Sequence, residues 1–169
     1  MNMFEFAMQM ELDGKAFYLK HAGEQKNADL RQVLTMLAEE EQKHYNIFKK
    51  LNEGAGPSAL TTGQSHSATL TKAKNIFVEL SNNTKHPSFT DNEKSIWLEA
   101  LKLEEKSEKF YREKAEEEPD PARKNLLNLI ANEERNHIYM IDSVLTYMKF
   151  PDTFSDTAKF KNFKSLEGH

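Results

Sequence analysis

The chain carries the tetrapeptide Glu41-Gln42-Lys43-His44 and, 93 residues later, Glu134-Arg135-Asn136-His137. In a helix, residues three positions apart lie on one face about a turn from each other, so each copy directs a carboxylate and an imidazole the same way. A carboxylate and an imidazole placed in this way can bind a metal ion together.

The repeat includes two more carboxylates. Glu11 heads a run that continues to Phe17-Tyr18, and Glu104 heads a matching run that continues to Phe110-Tyr111. The same spacing of 93 residues relates these runs, so a four-part pattern is duplicated in one register. The sequence therefore predicts an internal repeat of two helical hairpins.

Length and composition limit the class of protein. The chain has 169 residues, which suits one domain with a real core. A net charge of −4 disfavours nucleic-acid binding. Cysteine is absent, which excludes disulfides, iron–sulfur clusters and Cys-ligated metals within this sequence. We see neither a bilayer-spanning apolar run nor a leader, so we expect no membrane association and a cytoplasmic location.

Capping residues, glycines and prolines divide the chain into helices, which we predict at about 3–22, 28–52, 91–118 and 121–150. Residues 53–89 are too long for a turn, and we interpret them as a crossover between the hairpins, with a short packing helix near 70–80. Residues 1–150 then form the bundle. The tail at 151–166 packs on the bundle or on a partner subunit, and 167–169 is the remnant of an expression tag.

Six polar residues interrupt the apolar stripes of these helices. Four buried carboxylates would need compensating positive charge, no Lys or Arg stripe faces them, and two divalent cations would balance them. A mixture of Glu and His favours iron, manganese or zinc over calcium. The predicted metal ligands are Glu11, Glu41, His44, Glu104, Glu134 and His137.

Acidic neighbours make the register of these ligands ambiguous. They are Glu39, Glu40, Glu105 and Glu133. Glu40 lies four residues before His44 and could share its face. The apolar stripe and the repeat both favour Glu41, which leaves Glu40 as a solvated residue or as one that supports a ligand from outside.

Other residues of the stripes bear on the same site. Tyr18 and Tyr111 each follow a predicted ligand by two helical turns, so their hydroxyls either hydrogen-bond the ligand carboxylates or belong to ordinary core aromatics. Gly14 and Ser107 leave open volume where a small oxidant could enter. Three further histidines fit no stripe, and we expect them at the surface: His21, His66 and His86.

With this ligand set, and with Phe17-Tyr18 and Phe110-Tyr111, the chain resembles the rubrerythrin family of ferritin-like proteins over about residues 3–148. The resemblance implies an all-α, ferritin-like four-helix bundle of two repeated hairpins joined by a long crossover. It implies two non-haem iron ions, with manganese or zinc in their place in some preparations, and reduction of hydrogen peroxide to water. Such bundles often pair, so we expect a homodimer.

Two departures from the family pattern affect this reading. The family commonly carries a rubredoxin domain with four cysteines, and none is present here, so the electrons must come from a separate donor protein. The family also commonly has an additional Glu one turn after the third-helix ligand, linked to redox-dependent iron movement. Ser107 occupies that position, and the adjacent Glu108 points about 100° away on an ideal helix.

Two other functions fit the same residues. A bacterioferritin-like iron oxidase, with dioxygen as oxidant, would use an equal ligand set, although Gln42 stands where bacterioferritin typically has a haem-ligating Met. A metal-stabilised helical bundle without turnover would need the metal only to neutralise its core carboxylates.

Overall fold

The computed structural model describes residues 1–83 and 87–166, and within these ranges the chain is all-α. This confirms the predicted fold class. The helices are α1 (Met3–Glu24), α2 (Ala28–Asn52), α3 (Gly63–Asn82), α4 (Asp91–Glu117), α5 (Pro121–Lys149) and α6 (Ala158–Lys164). Two short 3-10 helices, Pro57–Ala59 and Phe154–Asp156, complete the described structure.

The predicted helix starts are confirmed by their capping contacts. The side chains of Asn27 and Asp120 each accept a hydrogen bond from a backbone N–H three residues later. Thr90 and Glu93 form a reciprocal capping box at the start of α4. Among the four helices of the hairpins, the predicted end of α1 differs most, since this helix continues through Gly23 to Glu24.

The two hairpins form the bundle in the predicted way. α1 packs along α2, α4 packs along α5, and the hairpins meet through α2 with α5 and through α1 with α4. Two apolar clusters make up the core, one around Leu34, Trp97 and Val144 and the other around Phe48 and Leu127. The predicted ligands of α2 and α5 lie between these clusters along each helix, so the bundle encloses a polar centre.

The crossover contains a longer helix than the sequence predicted. α3 has 20 residues and begins at Gly63, well before the short helix expected near 70–80. Its first turns read Gly-Gln-Ser-His-Ser-Ala-Thr, a composition that is poor in helix formers, and this is why periodicity alone missed them. α3 packs on both α2 and α5 and therefore covers that side of the polar centre.

The C-terminal tail packs on the bundle of its own chain. Its aromatic side chains Phe154, Phe160 and Phe163 are buried in the larger core cluster, which is the first of the two arrangements expected. Residues 167–169, the predicted tag remnant, and His86 lie outside the described residues. None of the helices within 1–83 and 87–166 combines the length and the apolar character of a membrane span.

Candidate metal centre

The bundle brings all six predicted ligands together in its interior. Each is at most 3 % exposed: Glu11, Glu41, His44, Glu104, Glu134 and His137. They come from four helices, one Glu each from α1 and α4 and a Glu-x-x-His each from α2 and α5. That these residues bind metal ions remains a prediction, which the following geometry supports.

The six side chains form two groups whose ligand atoms lie within 4.8 Å of one another. The first group contains Glu11, His44 and Glu134, and the second contains Glu41, Glu104, Glu134 and His137. Glu134 belongs to both groups, so the two groups are adjacent. Two adjacent clusters that share a carboxylate suit a pair of neighbouring metal ions.

Both histidines direct Nδ1 into the centre. Nδ1 of His44 lies 2.9 Å from Oε1 of Glu134 and 3.6 Å from Oε1 of Glu11. Nδ1 of His137 lies 3.5 Å from Oε2 of Glu104 and 3.6 Å from Oε2 of Glu134. Nδ1 is therefore the nitrogen that each imidazole offers to a metal ion.

Several ligand atoms of the centre have no hydrogen-bond partner among the described residues. They are Oε2 of Glu11, Oε1 of Glu41, Oε2 of Glu104, Oε2 of Glu134 and Nδ1 of His137. Buried polar atoms are normally hydrogen-bonded, and each one that is not costs free energy. Because all five atoms are of the kinds that bind iron, manganese or zinc, the residues present fit a pair of such ions.

The carboxyl pKa values show the same lack of positive charge. Burial, followed by the charges of Glu104 and Glu11, raises the pKa of Glu134 to about 8. Burial and the same kind of repulsion, from Glu11 first, raise the pKa of Glu41 well above its usual range. Without metal ions, these two carboxyls hold protons that divalent cations would displace.

The pKa values of Glu104, His44 and His137 are shifted in the directions that favour ion pairs. Burial works against ionisation of Glu104, but the charge of His137 and the hydrogen bonds from neighbouring side chains together outweigh it and lower the pKa of Glu104 to about 2. Burial alone would lower the pKa values of His44 and His137, and the carboxylates beside them, Glu11 and Glu104 respectively, raise both instead. In the metal-free centre the imidazoles therefore serve as the local cations.

Two tyrosines cross from one hairpin to the other. The hydroxyl of Tyr18 on α1 donates to Oε1 of Glu104 on α4 at 2.6 Å, and the hydroxyl of Tyr111 on α4 donates to Oε1 of Glu11 on α1. Of the two roles considered for these tyrosines, the structure shows the hydrogen-bonding one. Burial and the nearby carboxylates raise both tyrosine pKa values, so the hydroxyls keep their protons and remain donors.

A further layer of carboxylates lies behind the histidines. Nε2 of His44 is 3.0 Å from Oε1 of Glu133, and Nε2 of His137 is 3.3 Å from Oε1 of Glu40. Glu40 and Glu133 are themselves equivalent in the 93-residue repeat, and each is 1 % exposed. Two alternatives were considered for Glu40. The solvated one is wrong, and the structure shows that Glu40 supports the predicted ligand His137.

Hydrogen bonds keep this outer layer ionised. Burial would raise the pKa of Glu40, but hydrogen bonds from His137 and His66 outweigh it and hold the pKa well below its usual range. Burial likewise opposes ionisation of Glu133, and the hydrogen bond from His44 lowers its pKa. An ionised carboxylate can only accept, so each ligand histidine donates its Nε2–H outward and directs Nδ1 at the centre, where a metal ion would replace the Nδ1 proton.

The prediction that His66 lies at the surface is wrong. Its side chain is fully buried on α3, with Nδ1 2.5 Å from Oε1 of Glu40 and Nε2 3.0 Å from Nδ2 of Asn136. His21 is also less exposed than expected, at 12 % of its side chain. Glu40, His66 and His137 form a third cluster of potential ligand atoms, and the hydrogen-bond distances within it indicate a supporting network.

Ser107 occupies the position of the family's additional Glu, and the adjacent Glu108 points away from the centre, as helix geometry predicted. Glu108 is buried, and its carboxylate forms ion pairs with Arg135 at 2.8 Å and with Arg112 at 3.2 Å. It is thus held by two cations on the side of α4 that faces α5. Ser107 is half-buried and lines a cavity beside the centre.

This cavity, of about 80 Å³, lies between α1 and α4. Glu41 and Glu104 line it together with Gly14 and Ser107, which confirms that the two small residues border open volume. The approach is close at Gly14, where a Cβ atom would lie 2.9 Å from Oε2 of Glu41. A larger cavity of about 340 Å³ lies between α5 and α6, away from the predicted ligands.

An all-α bundle with one Glu from each of two helices and a Glu-x-x-His from each of two others defines a ferritin-like carboxylate protein. Within that class, the family model described as Rubrerythrin matches residues 2–145. The chain therefore belongs to the rubrerythrin family, whose members are di-iron proteins. Searches of curated proteins and of solved structures gave no match.

Proposed function

We propose that this protein is a non-haem di-iron oxidoreductase that reduces hydrogen peroxide to water with electrons from a separate donor protein. The observation that carries the proposal is the pair of buried ligand groups that share Glu134 and leave five ligand atoms unpaired. Family membership supports iron as the metal. The proposal also includes a homodimer, as expected from the pairing of similar bundles.

The two groups define which residues would hold each ion. Glu11 and His44 would hold one, Glu41, Glu104 and His137 would hold the other, and Glu134 would contact both. Two ferrous ions, when bound, supply the two electrons that reduction of one peroxide molecule to two water molecules consumes, together with two protons. The chain itself contributes the fixed ligand geometry on which that chemistry depends.

The residues around the ions orient the ligands and limit access. Tyr18 and Tyr111 donate hydrogen bonds that fix one oxygen of Glu104 and one of Glu11, which leaves the other oxygen of each free to face the centre. The cavity between α1 and α4 leads to the centre, and its volume of about 80 Å³ suits a molecule of two oxygen atoms. Peroxide or dioxygen in this cavity would lie beside Glu41 and Glu104, which line it.

One observation favours a second candidate, an iron oxidase that uses dioxygen. The ion pairs of Glu108 with Arg112 and Arg135 hold that carboxylate away from the centre. Within the described residues, Glu104 is then the only carboxylate of α4 in the ligand groups. A centre without the additional family Glu has less scope for ligand exchange during turnover, and this favours single oxidation events over rapid peroxide cycling.

The experiment that separates these functions is rapid mixing of iron-loaded, anaerobically reduced protein with equal concentrations of peroxide or dioxygen. Metal content is measured beforehand, and ferric iron is followed by its near-ultraviolet absorbance. We expect two irons per chain and oxidation about tenfold or more faster with peroxide, a difference of about 1.4 kcal/mol in activation free energy. The Glu134→Gln variant, which loses the shared carboxylate, controls for loosely bound iron.

Each other outcome assigns a different function. Two irons per chain with faster oxidation by dioxygen would support the iron oxidase, and a large hollow assembly in size-exclusion chromatography would extend this to iron storage. Two metal ions per chain without oxidation by either oxidant would leave a metal-stabilised bundle. Failure to bind any divalent metal would overturn the proposal.

A further inference from the structure

The crossover helix α3 supplies a buried histidine to the centre although it contributes no predicted ligand. His66 is fully buried, and α3 packs on α2 and α5, the two helices that carry the Glu-x-x-His motifs. A buried imidazole needs partners for both ring nitrogens. Those partners are Glu40 of α2 and Asn136 of α5, so His66 connects the two hairpins.

The contact with Glu40 places His66 one hydrogen bond away from a predicted ligand. Nδ1 of His66 lies 2.5 Å from Oε1 of Glu40, and the same oxygen lies 3.3 Å from Nε2 of His137. A carboxylate oxygen can accept from both nitrogens. The position of this oxygen, and with it the orientation of the His137 ring, depends on the His66 donor.

The equivalent position behind His44 is held in a different way. Oε1 of Glu133 accepts from Nε2 of His44 at 3.0 Å, and Oε2 of Glu133 accepts from the hydroxyl of Thr62, just before α3. Nδ1 of His66 is 3.7 Å from Oε1 of Glu133, beyond hydrogen-bond distance. The repeat thus gives two equivalent carboxylates, and the crossover supports one through His66 and the other through Thr62.

We propose that His66 is a positioning residue for one half of the metal centre. It fixes Glu40, and through Glu40 it holds His137 with Nδ1 directed towards Glu104 and Glu134, the residues that would hold an ion with it. Thr62 has the corresponding role for Glu133, His44 and the other ion. This inference rests on the proposed metal centre and extends it, since it assigns separate control of the two sites to the non-repeated crossover.

The test compares two substitutions that place an amide donor at different points of the His66 ring. Asn places its nitrogen near the position of Nδ1 and keeps the donor to Glu40, whereas Gln places its nitrogen near Nε2 and loses that donor. Thr62→Val removes the opposite support with little change in volume. All three variants, and the unsubstituted protein, are loaded stepwise with Co²⁺, and proton NMR follows the shifted, exchangeable Nε2–H signals of the two ligand histidines.

We expect His66→Gln to weaken binding of one Co²⁺ by about tenfold, the usual lower range for loss of an outer hydrogen-bond partner. The Nε2–H signal of His137 should then exchange faster with solvent while that of His44 is unchanged. His66→Asn should restore both properties, and Thr62→Val should give the reverse pattern. Equal effects on both histidines, or no effect of His66→Gln, would overturn the inference.

The same data separate this inference from the proposed function. If the unsubstituted protein binds two Co²⁺ ions and the variants do not differ, the centre stands and the role of His66 is refuted. If the unsubstituted protein binds none, the proposed function fails, and the two Nε2–H exchange rates in the metal-free variants still decide whether His66 orients His137. Thermal unfolding of each variant identifies any general loss of structure, which would speed the exchange of both signals and not of one alone.

Discussion

Glu40 and Glu41 are neighbours in the sequence and both are buried, yet their carboxyl pKa values move in opposite directions. The pKa of Glu40 is lowered, because His137 and His66 donate hydrogen bonds that outweigh its burial. The pKa of Glu41 is raised by its burial and by the charge of Glu11. We refer to Glu41 and Glu134 as the central pair and to Glu40 and Glu133 as the outer pair.

The difference between these pairs shows what identifies a metal ligand in this bundle. Burial does not, because both pairs are buried to nearly the same extent. The outer pair has its counter-charge and hydrogen bonds within the protein, whereas the central pair faces other carboxylates and has unpaired oxygens. The deficit of positive charge therefore marks the site where cations belong.

The largest effect that would test this contrast is the pH dependence of the free energy of unfolding of the metal-free protein. The raised pKa of the central pair contributes stability that is fully present below 4.5 and is lost as the pH rises through about 8, the pKa of Glu134. His44 and His137, whose pKa values are also raised, lose their contribution in the same direction above their usual value of 6.5. We expect the free energy of unfolding to fall by several kcal/mol between pH 6 and pH 9.

The outer pair predicts a separate loss of stability at acidic pH. The lowered pKa values of Glu40 and Glu133 contribute stability that is present above 4.5 and is lost as the pH falls further. Denaturant titrations from pH 3 to pH 9, with and without Zn²⁺, measure both limbs. Bound metal should abolish the loss at high pH, because it binds the deprotonated carboxylates. A metal-free protein with constant stability up to pH 9 would contradict the contrast.

The second prediction applies one substitution to both pairs at pH 8. Glu40→Gln removes the charge that compensates its hydrogen-bond donors, and we expect the metal-free protein to lose about 3 kcal/mol. Glu134→Gln removes a carboxyl that is costly to ionise, so stability of the metal-free protein should be unchanged or higher. Calorimetry of both variants measures this, and equal destabilisation would show that the two pairs do not differ.

For metal binding we expect the opposite order of effects: Glu134→Gln should be the more harmful of the two substitutions. Glu134→Gln removes the carboxylate common to both ligand groups, so it should lower the metal content below two ions per chain. Glu40→Gln keeps every predicted ligand and should still bind two ions, with reduced affinity. Metal analysis after equilibrium dialysis checks this reversal.

The repeated residues explain how much of this molecule the sequence predicts. The 93-residue spacing identifies Glu11, Glu104 and the two Glu-x-x-His motifs, and helical periodicity places them on buried faces. The same spacing also relates Glu40 to Glu133, so the outer pair had a sequence signal. That signal leaves Glu40 open between a solvated residue and one that supports a ligand, because acidic residues beside an apolar stripe are usually solvated.

The crossover explains what could not be predicted. His66 has no counterpart in the repeat, and its partners lie 26 and 70 residues away on two other helices. A polar helix start rich in Gly and Ser is indistinguishable from a loop until the buried carboxylates that it faces are known. Contacts of this kind arise from tertiary packing, which no single-helix pattern contains.

The third prediction sharpens the role of the tyrosines that support the centre. Tyr18→Phe and Tyr111→Phe each remove one donor to Glu104 or Glu11 without changing the ring that packs in the core. Loss of such a partner typically weakens metal affinity by about 10- to 100-fold. Competition with a chelating dye measures the affinity. Tyr45→Phe, a change at a half-buried tyrosine outside the ligand groups, serves as the control and should leave it unchanged.

The smallest effect expected is that of Gly14→Ala, which touches the central pair and not the outer pair. Ala is the better helix former by about 1 kcal/mol, but its Cβ would lie 2.9 Å from Oε2 of Glu41 and displace that oxygen. Gly23→Ala in the last turn of the same helix has nothing within 4 Å and gives the propensity gain alone. Gly23→Ala should stabilise the metal-free protein, whereas Gly14→Ala should give a smaller gain, because Glu41 must shift, and should weaken metal binding. If Gly14→Ala binds metal as tightly as Gly23→Ala does, Glu41 has room to move, and the fixed geometry assigned to the central pair is wrong.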